Sequence, residues 1–108
     1  MIKIMFDLIK NLFGVEKTDY AQLVKDGAII LDVRSNSEFN SGHIKGSINI
    51  PVDKLSTNLS RFKDKSKPII TCCASGARSA AAKGILKSNG YSNVNNCGAW
   101  HNLNNKIK

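Results

Sequence analysis

Apolar positions along this chain follow two rhythms. Ala28-Ile29-Ile30-Leu31-Asp32-Val33 and Pro68-Ile69-Ile70-Thr71-Cys72 are short, nearly unbroken apolar runs. Runs of this kind mark strands covered on both faces, as in a parallel sheet. Elsewhere the apolar residues spread to helical spacing. Residues 1–13 set Ile2, Met5, Phe6, Ile9 and Phe13 along one side of a helix, widened by Ile4, Leu8 and Leu12 and closed by Gly14. Val15-Glu16-Lys17 reads as a short edge strand. Thr18 is expected to cap a helix through Tyr20, Leu23 and Val24 that ends at Gly27. Ser35 or Asn36 caps a helical turn through Glu38 and Phe39, stopped at Gly42. Ser47-Ile48-Asn49-Ile50 is a further strand, ended by Pro51. Asp53 to Phe62 reads as a helix with Leu55 and Leu59 inward, and Ala80 to Lys87 as another that stops at Asn89-Gly90. Ser92-Asn93-Val94-Asn95 is a last short strand and Gly98 to Leu103 a final helical turn; the polar tail beyond is expected to fray.

Strands alternating with helices predict an α/β fold, a parallel sheet with helices on both faces. The expected organisation is an N-terminal amphipathic helix over residues 1–14 and one domain over 15–108. In such sheets ligands bind beyond the carboxyl ends of the strands. Cys73 falls at one such end, Asp32 and Arg34 at another. For residues 1–13 a helix packed on the domain is preferred to a helix lying on a membrane surface, despite its wide apolar face. Charges interrupt that run and no small-residue cleavage site follows, so a secretory signal is not expected. Cytoplasm is therefore the expected compartment.

The chemistry gathers at Cys73-Ala74-Ser75-Gly76-Ala77-Arg78-Ser79, between a strand and a helix. Small residues and a glycine there let successive amides turn inward at the positive end of a helix. A thiol so placed loses its proton easily, and the thiolate is the reactive form. Cys73 is the candidate nucleophile, with residues 74–79 as its binding loop; the reading needs a charged thiol open to water. The chain has 3 cysteines in all. Cys72 is expected in the core, pointing opposite to Cys73; a register one residue off would make it the nucleophile instead. Cys97 is expected to be a packed small residue, with a second, resolving thiol as the alternative. No Cys/His spacing suits a metal. The net charge of +8 favours a small anionic ligand. The basic residues are scattered and lack aromatic platforms, so nucleic acid is not expected as a partner, and Arg61, Lys63, Lys65 and Lys67 read as a solvated loop.

Leu31-Asp32-Val33-Arg34, Glu38-Phe39, Gly42-His43-Ile44 and Gly46 to Pro51 together resemble the first signature of rhodanese-like sulfurtransferases. Cys73-x-x-Gly76-x-Arg78-Ser79 resembles their active-site loop, and Gly90-Tyr91-x-Asn93-Val94 with Gly98-Ala99-Trp100 their closing segment. The resemblance implies a doubly wound, five-stranded parallel sheet ordered 3-2-4-5-1. It implies that Cys73 takes a sulfane sulfur from a small anionic donor such as thiosulfate, holds it as a persulfide, and passes it to cyanide or a thiol. It implies no metal or organic cofactor, and it sets the Gly98 turn, which Cys97 precedes, near the mouth of the site. In thiosulfate-specific loops a basic residue commonly follows the cysteine; here Ala74 follows.

Around the loop, Arg78 either contacts the anionic donor or turns back to pair with Glu38 or Asp32. Arg34 either serves the substrate or pairs with Glu38. Asp32 is expected to cap the next turn, His43 to fix the Gly42 turn by a hydrogen bond, and Trp100 to pack against the sheet. The loop from Cys73 to Arg78 has six residues. Related phosphatases and arsenate reductases carry one residue more, to hold a tetrahedral oxyanion, so sulfur transfer is preferred to either. A relay that receives sulfur only from a partner protein's thiol is the other reading.

Overall fold

The structure is a computed structural model that describes residues 18–108. The helix expected over residues 1–13, with its membrane contact, and the edge strand at Val15-Glu16-Lys17 lie outside the described residues. Helix α1 spans Tyr20–Lys25, strand β1 Ile29–Asp32, helix α2 Asn36–Ser41 and strand β2 Ile48–Asn49. Strand β3 spans Ile69–Cys73, helix α3 Ala77–Ser88, strand β4 Val94–Ala99 and helix α4 Trp100–Ile107. Among the described residues the strands pair in the order β2-β1-β3-β4, all parallel. That is the expected order with its first strand outside the described residues, four strands where five were expected. No described helix is long and apolar enough to cross a membrane.

Alternation along the strands builds two apolar layers. Leu31, Val33, Ile69 and Cys73 pack with Ala82 and Leu86 of α3 on one face, joined by Leu55, Phe62 and Tyr91. Ile30, Ile70 and Cys72 pack with Leu103 of α4 on the other, joined by Leu23 and Val24 of α1. The sheet is therefore covered on both sides, as the unbroken apolar runs require.

Four elements differ from expectation, each for a local reason. The cap of α1 is Asp19, not Thr18: its carboxylate accepts from the Gln22 amide at 3.1 Å and adds negative charge at the helix start. The segment from Asp53 to Phe62 is not an α-helix but two 3₁₀ segments, Val52–Thr57 and Leu59–Arg61. The Thr57 hydroxyl and Asn58 amide both donate to the Lys54 carbonyl, at 3.0 and 2.8 Å, competing with the helical ladder. Leu55 nevertheless points inward, fully buried. Strand β4 runs on to Ala99 past the expected end at Asn95. The tail is helical to Ile107 because Trp100, Leu103 and Ile107 share one side and meet the second apolar layer.

Candidate active site

Cys73 closes β3 as its last residue, one later than expected. The chain then turns through Gly76, whose φ of +117° suits a residue with no Cβ, and enters α3. Helix α3 has no side-chain cap. Its first amides meet sulfur instead: Gly76 N–H donates to Cys73 Sγ at 2.9 Å and Ser79 N–H at 3.4 Å. The sulfur thus satisfies donors that every helix start leaves open. The Ser79 hydroxyl lies 3.4 Å from Sγ and donates to the Gly76 carbonyl at 3.0 Å. Thr71 of β3 donates to the Ser79 carbonyl at 3.0 Å, tying strand to helix beneath the sulfur.

Burial pushes the Cys73 thiol up, but the hydrogen bonds from Ser79 and the amides of Gly76 and Ser75 outweigh it and hold the thiol below its ordinary value. Cys72 goes the other way. Its hydrogen bond with Cys97, then burial, push it far above the ordinary range. The expectation of opposite orientations holds, since the two sulfurs belong to opposite apolar layers. Cys97 sits where β4 bulges against Thr71 and Cys72, and packs in the Cys72 layer. The packed role expected of it holds, and the next residue, Gly98, lies beside Gly76 of the loop.

One expectation about Cys73 is also corrected. The residue is 0% exposed, so the thiol is not open to water. Ala74, Ser75 and Ala77 are exposed and form the outer side of the loop. For chemistry at this sulfur with a molecule from solvent, these residues would have to shift outward.

Arg78 turns back to Glu38, at 2.6 and 3.0 Å through Nη1 and Nη2, and the two side chains are each 37% exposed. This pair holds the Glu38 carboxyl down to about 2, with the amide and hydroxyl of Ser35 adding to it. Ser35 is the cap of α2, and with Glu38 it closes a reciprocal capping box. Arg34 does not pair with the Glu38 carboxylate. It is buried against Asp32 at 2.7 Å and donates to the carbonyls of Glu38 and Gly42, at 3.3 and 2.7 Å. Asp32 both neutralises Arg34 and caps the turn after β1, as expected: its Oδ1 accepts the Arg34 backbone N–H at 3.0 Å. His43 Nδ1 lies 2.7 Å from the Phe39 carbonyl, which fixes that nitrogen as the donor, and its ring stacks on Phe39 at 3.7 Å. The Trp100 indole is partly exposed rather than fully core; the Arg34 guanidinium lies 4.7 Å from its centre. A groove of about 420 Å³ is lined by Arg34, Glu38, Ser41, Gly42, Trp100 and His101. Ser41 and His101 carry no sequence motif and were not among the expected site residues.

A model of the rhodanese-like domain matches residues 16–102 of the chain. A thiosulfate:glutathione sulfurtransferase of Saccharomyces cerevisiae is 34% identical over 103 residues, covering 79% of this chain and 74% of that protein. A tRNA uridine(34) hydroxylase of Buchnera aphidicola is 31% identical over 77 residues, covering 67% of this chain but 25% of that protein. The chain spans between 64% and 71% of the length of four further curated relatives. The solved structure of a human single-domain sulfurtransferase superposes with a TM-score of 0.65 at 29% identity, covering 73% of this chain and 82% of that one.

Proposed function

Because this chain belongs to the rhodanese-like domain family, we propose that it is a sulfurtransferase in which Cys73 carries the transferred sulfur. The observation that bears most weight is the sulfur's setting: amides of Gly76 and Ser79 and the Ser79 hydroxyl converge on Sγ. The Cys73 thiolate attacks the outer sulfur of thiosulfate. The S–S bond of the donor breaks, sulfite leaves with the electron pair, and Cys73 holds a persulfide. The persulfide is an anion too, so the same amides serve both the thiolate and the persulfide, and no neighbouring base is required. A thiophilic acceptor, cyanide or a thiol, then removes the outer sulfur. The yeast relative named for thiosulfate and glutathione supports this pairing of donor and acceptor. Arg78, held by Glu38, braces the loop and still presents part of its charge to an incoming anion. The six-residue loop supports a sulfur-sized ligand over a tetrahedral oxyanion.

Intact mass after incubation with thiosulfate tests the reading. The protein should gain one sulfur, about 32 Da, removable by cyanide. Cys73→Ser should gain none, whereas Cys72→Ala should load normally. Loading that survives in Cys73→Ser and disappears in Cys72→Ala would move the nucleophile to the other face of the sheet.

A further inference from the structure

We propose that Thr71 is a positioning residue for the sulfur of Cys73: its buried hydroxyl holds the first turn of α3 at the place over β3 where the Ser79 amide and hydroxyl meet Sγ. The inference rests on Cys73 as the sulfur carrier. Strand β3 is buried along its whole length, and Thr71 carries the one hydroxyl in its Ile-Ile-Thr-Cys-Cys run. The layer on that face is otherwise apolar, with Leu31, Val33, Ile69 and Leu86. A hydroxyl set among such side chains needs a partner. Thr71 is 0% exposed and sits at the centre of the sheet, in register with Leu31 of β1 and Asn96 of β4. Its hydroxyl finds the Ser79 carbonyl at 3.0 Å. Alternation puts Thr71 and Cys73 on one face, two residues apart, so the hydroxyl and the sulfur meet the same helix start.

The cap of α3 is Gly76, which has no side chain to fix the turn. The Ser79 hydroxyl donates to the Gly76 carbonyl at 3.0 Å, a bond that stays within the turn itself. The Thr71 bond instead crosses from strand to helix beneath the sulfur. Residue 79 then brings two groups to Sγ, its amide and its hydroxyl, both at 3.4 Å. A bond made at the carbonyl of the same residue sets the placement of both. The Gly76 amide, at 2.9 Å, belongs to the loop before the helix and does not depend on Thr71. Thr71→Val exchanges the hydroxyl for a methyl of similar shape. The helix ladder still offers the Ser79 carbonyl the amide four residues on, so no acceptor is stranded. Among charged groups, Arg78 of the same helix acts on the sulfur, and Glu38 of α2 holds Arg78. The exchange alters neither.

The test titrates the Cys73 thiolate by its absorbance in the full-length wild type, Thr71→Val, Thr71→Ala and Thr71→Ser, each with its Cys73→Ser counterpart subtracted. Loading by thiosulfate is followed by intact mass across the same pH range. Thr71→Val and Thr71→Ala should raise the thiolate midpoint enough to cut the thiolate fraction about tenfold at a pH below both midpoints. A more basic thiolate is the better nucleophile, which recovers about threefold of that loss. Loading should therefore slow about threefold below both midpoints, and the deficit should vanish above them. Thr71→Ser keeps the hydroxyl and should restore both values. A role confined to stability would shift urea unfolding and leave the thiolate midpoint in place. That result in both Thr71→Val and Thr71→Ala overturns the proposal, as does a Thr71→Ser protein that behaves like Thr71→Val. A wild type that never gains sulfur overturns the carrier reading itself, and the proposal falls with it.

Discussion

Cys73 Sγ accepts amide N–H groups from Gly76 and Ser79, while Cys72 faces apolar side chains and Cys97 on the other side of the sheet. One step along a strand thus separates a thiol held low from a thiol pushed high. The contrast is measurable as thiolate absorbance against pH, with Cys73→Ser subtracted. The Cys73 midpoint should fall below the ordinary cysteine range. Ser79→Ala should raise it, because the Ser79 side-chain contact that helps hold the thiol down is lost. A midpoint that stays put in Ser79→Ala would remove the hydroxyl from the account. The sign carries over to stability. A depressed acid contributes above its unfolded pKa, and that contribution fades as pH falls through the folded one. The Asp32–Arg34 pair is the other residue-scale commitment. Their side chains are 1% and 5% exposed. Arg34→Met strands a buried carboxylate and two carbonyls, and should cost about 3–5 kcal/mol in urea unfolding. A cost under about 1 kcal/mol would show that the pair is not the anchor of this sheet edge.

At the scale of elements, α2 and the sulfur loop act as one unit through Glu38. The same carboxylate closes the capping box of α2 and receives Arg78. Glu38→Gln should loosen both, leaving α2 less protected in amide exchange and slowing thiosulfate loading. The acid dependence has a definite window. Glu38 is held down to about 2, so its contribution is complete above the ordinary Glu range and is lost as pH falls toward 2. Urea midpoints of wild type and Glu38→Gln should therefore differ at pH 6 and converge near pH 2. A constant gap would mean that packing rather than charge carries the effect. A cap at Ser35 or Asn36 was expected from sequence; the structure selects Ser35, and Glu38 completes the box. The second duty of Glu38 was one of several pairings open to Arg78, since its partner lies 40 residues away. The two 3₁₀ segments depart from the expected helix for a related reason: leucine spacing points to helix, but side-chain competition for the Lys54 carbonyl decides the turn type.

Over the whole molecule, charge and topology meet at opposite ends of the sheet. Lys63, Lys65 and Lys67 precede β3, and Cys73 ends it. Lys65 is not merely solvated: its ammonium donates to the Asn89 carbonyl at 2.8 Å. The net +8 reaches the site as a diffuse field that salt screens over about 10 Å at 0.1 M. The rate constant for loading by thiosulfate should fall as ionic strength rises, while a neutral sulfane donor should show no such slope. Equal slopes would exclude steering. The apolar runs at 28–33 and 68–72 were enough to require a sheet covered on both faces, since no other arrangement buries every side chain of such a strand. The loop motif led to the expectation that amides converge on the Cys73 sulfur, and those of Gly76 and Ser79 do meet it, because small residues between a strand and a helix leave amides free to point at one atom. Three matters waited for the assembled chain. Arg34 chose Asp32 over Glu38, Cys97 chose the layer of Cys72, and the groove formed between Ser41 and His101. Each joins elements that only packing brings together, and spacing along a chain carries no record of such meetings.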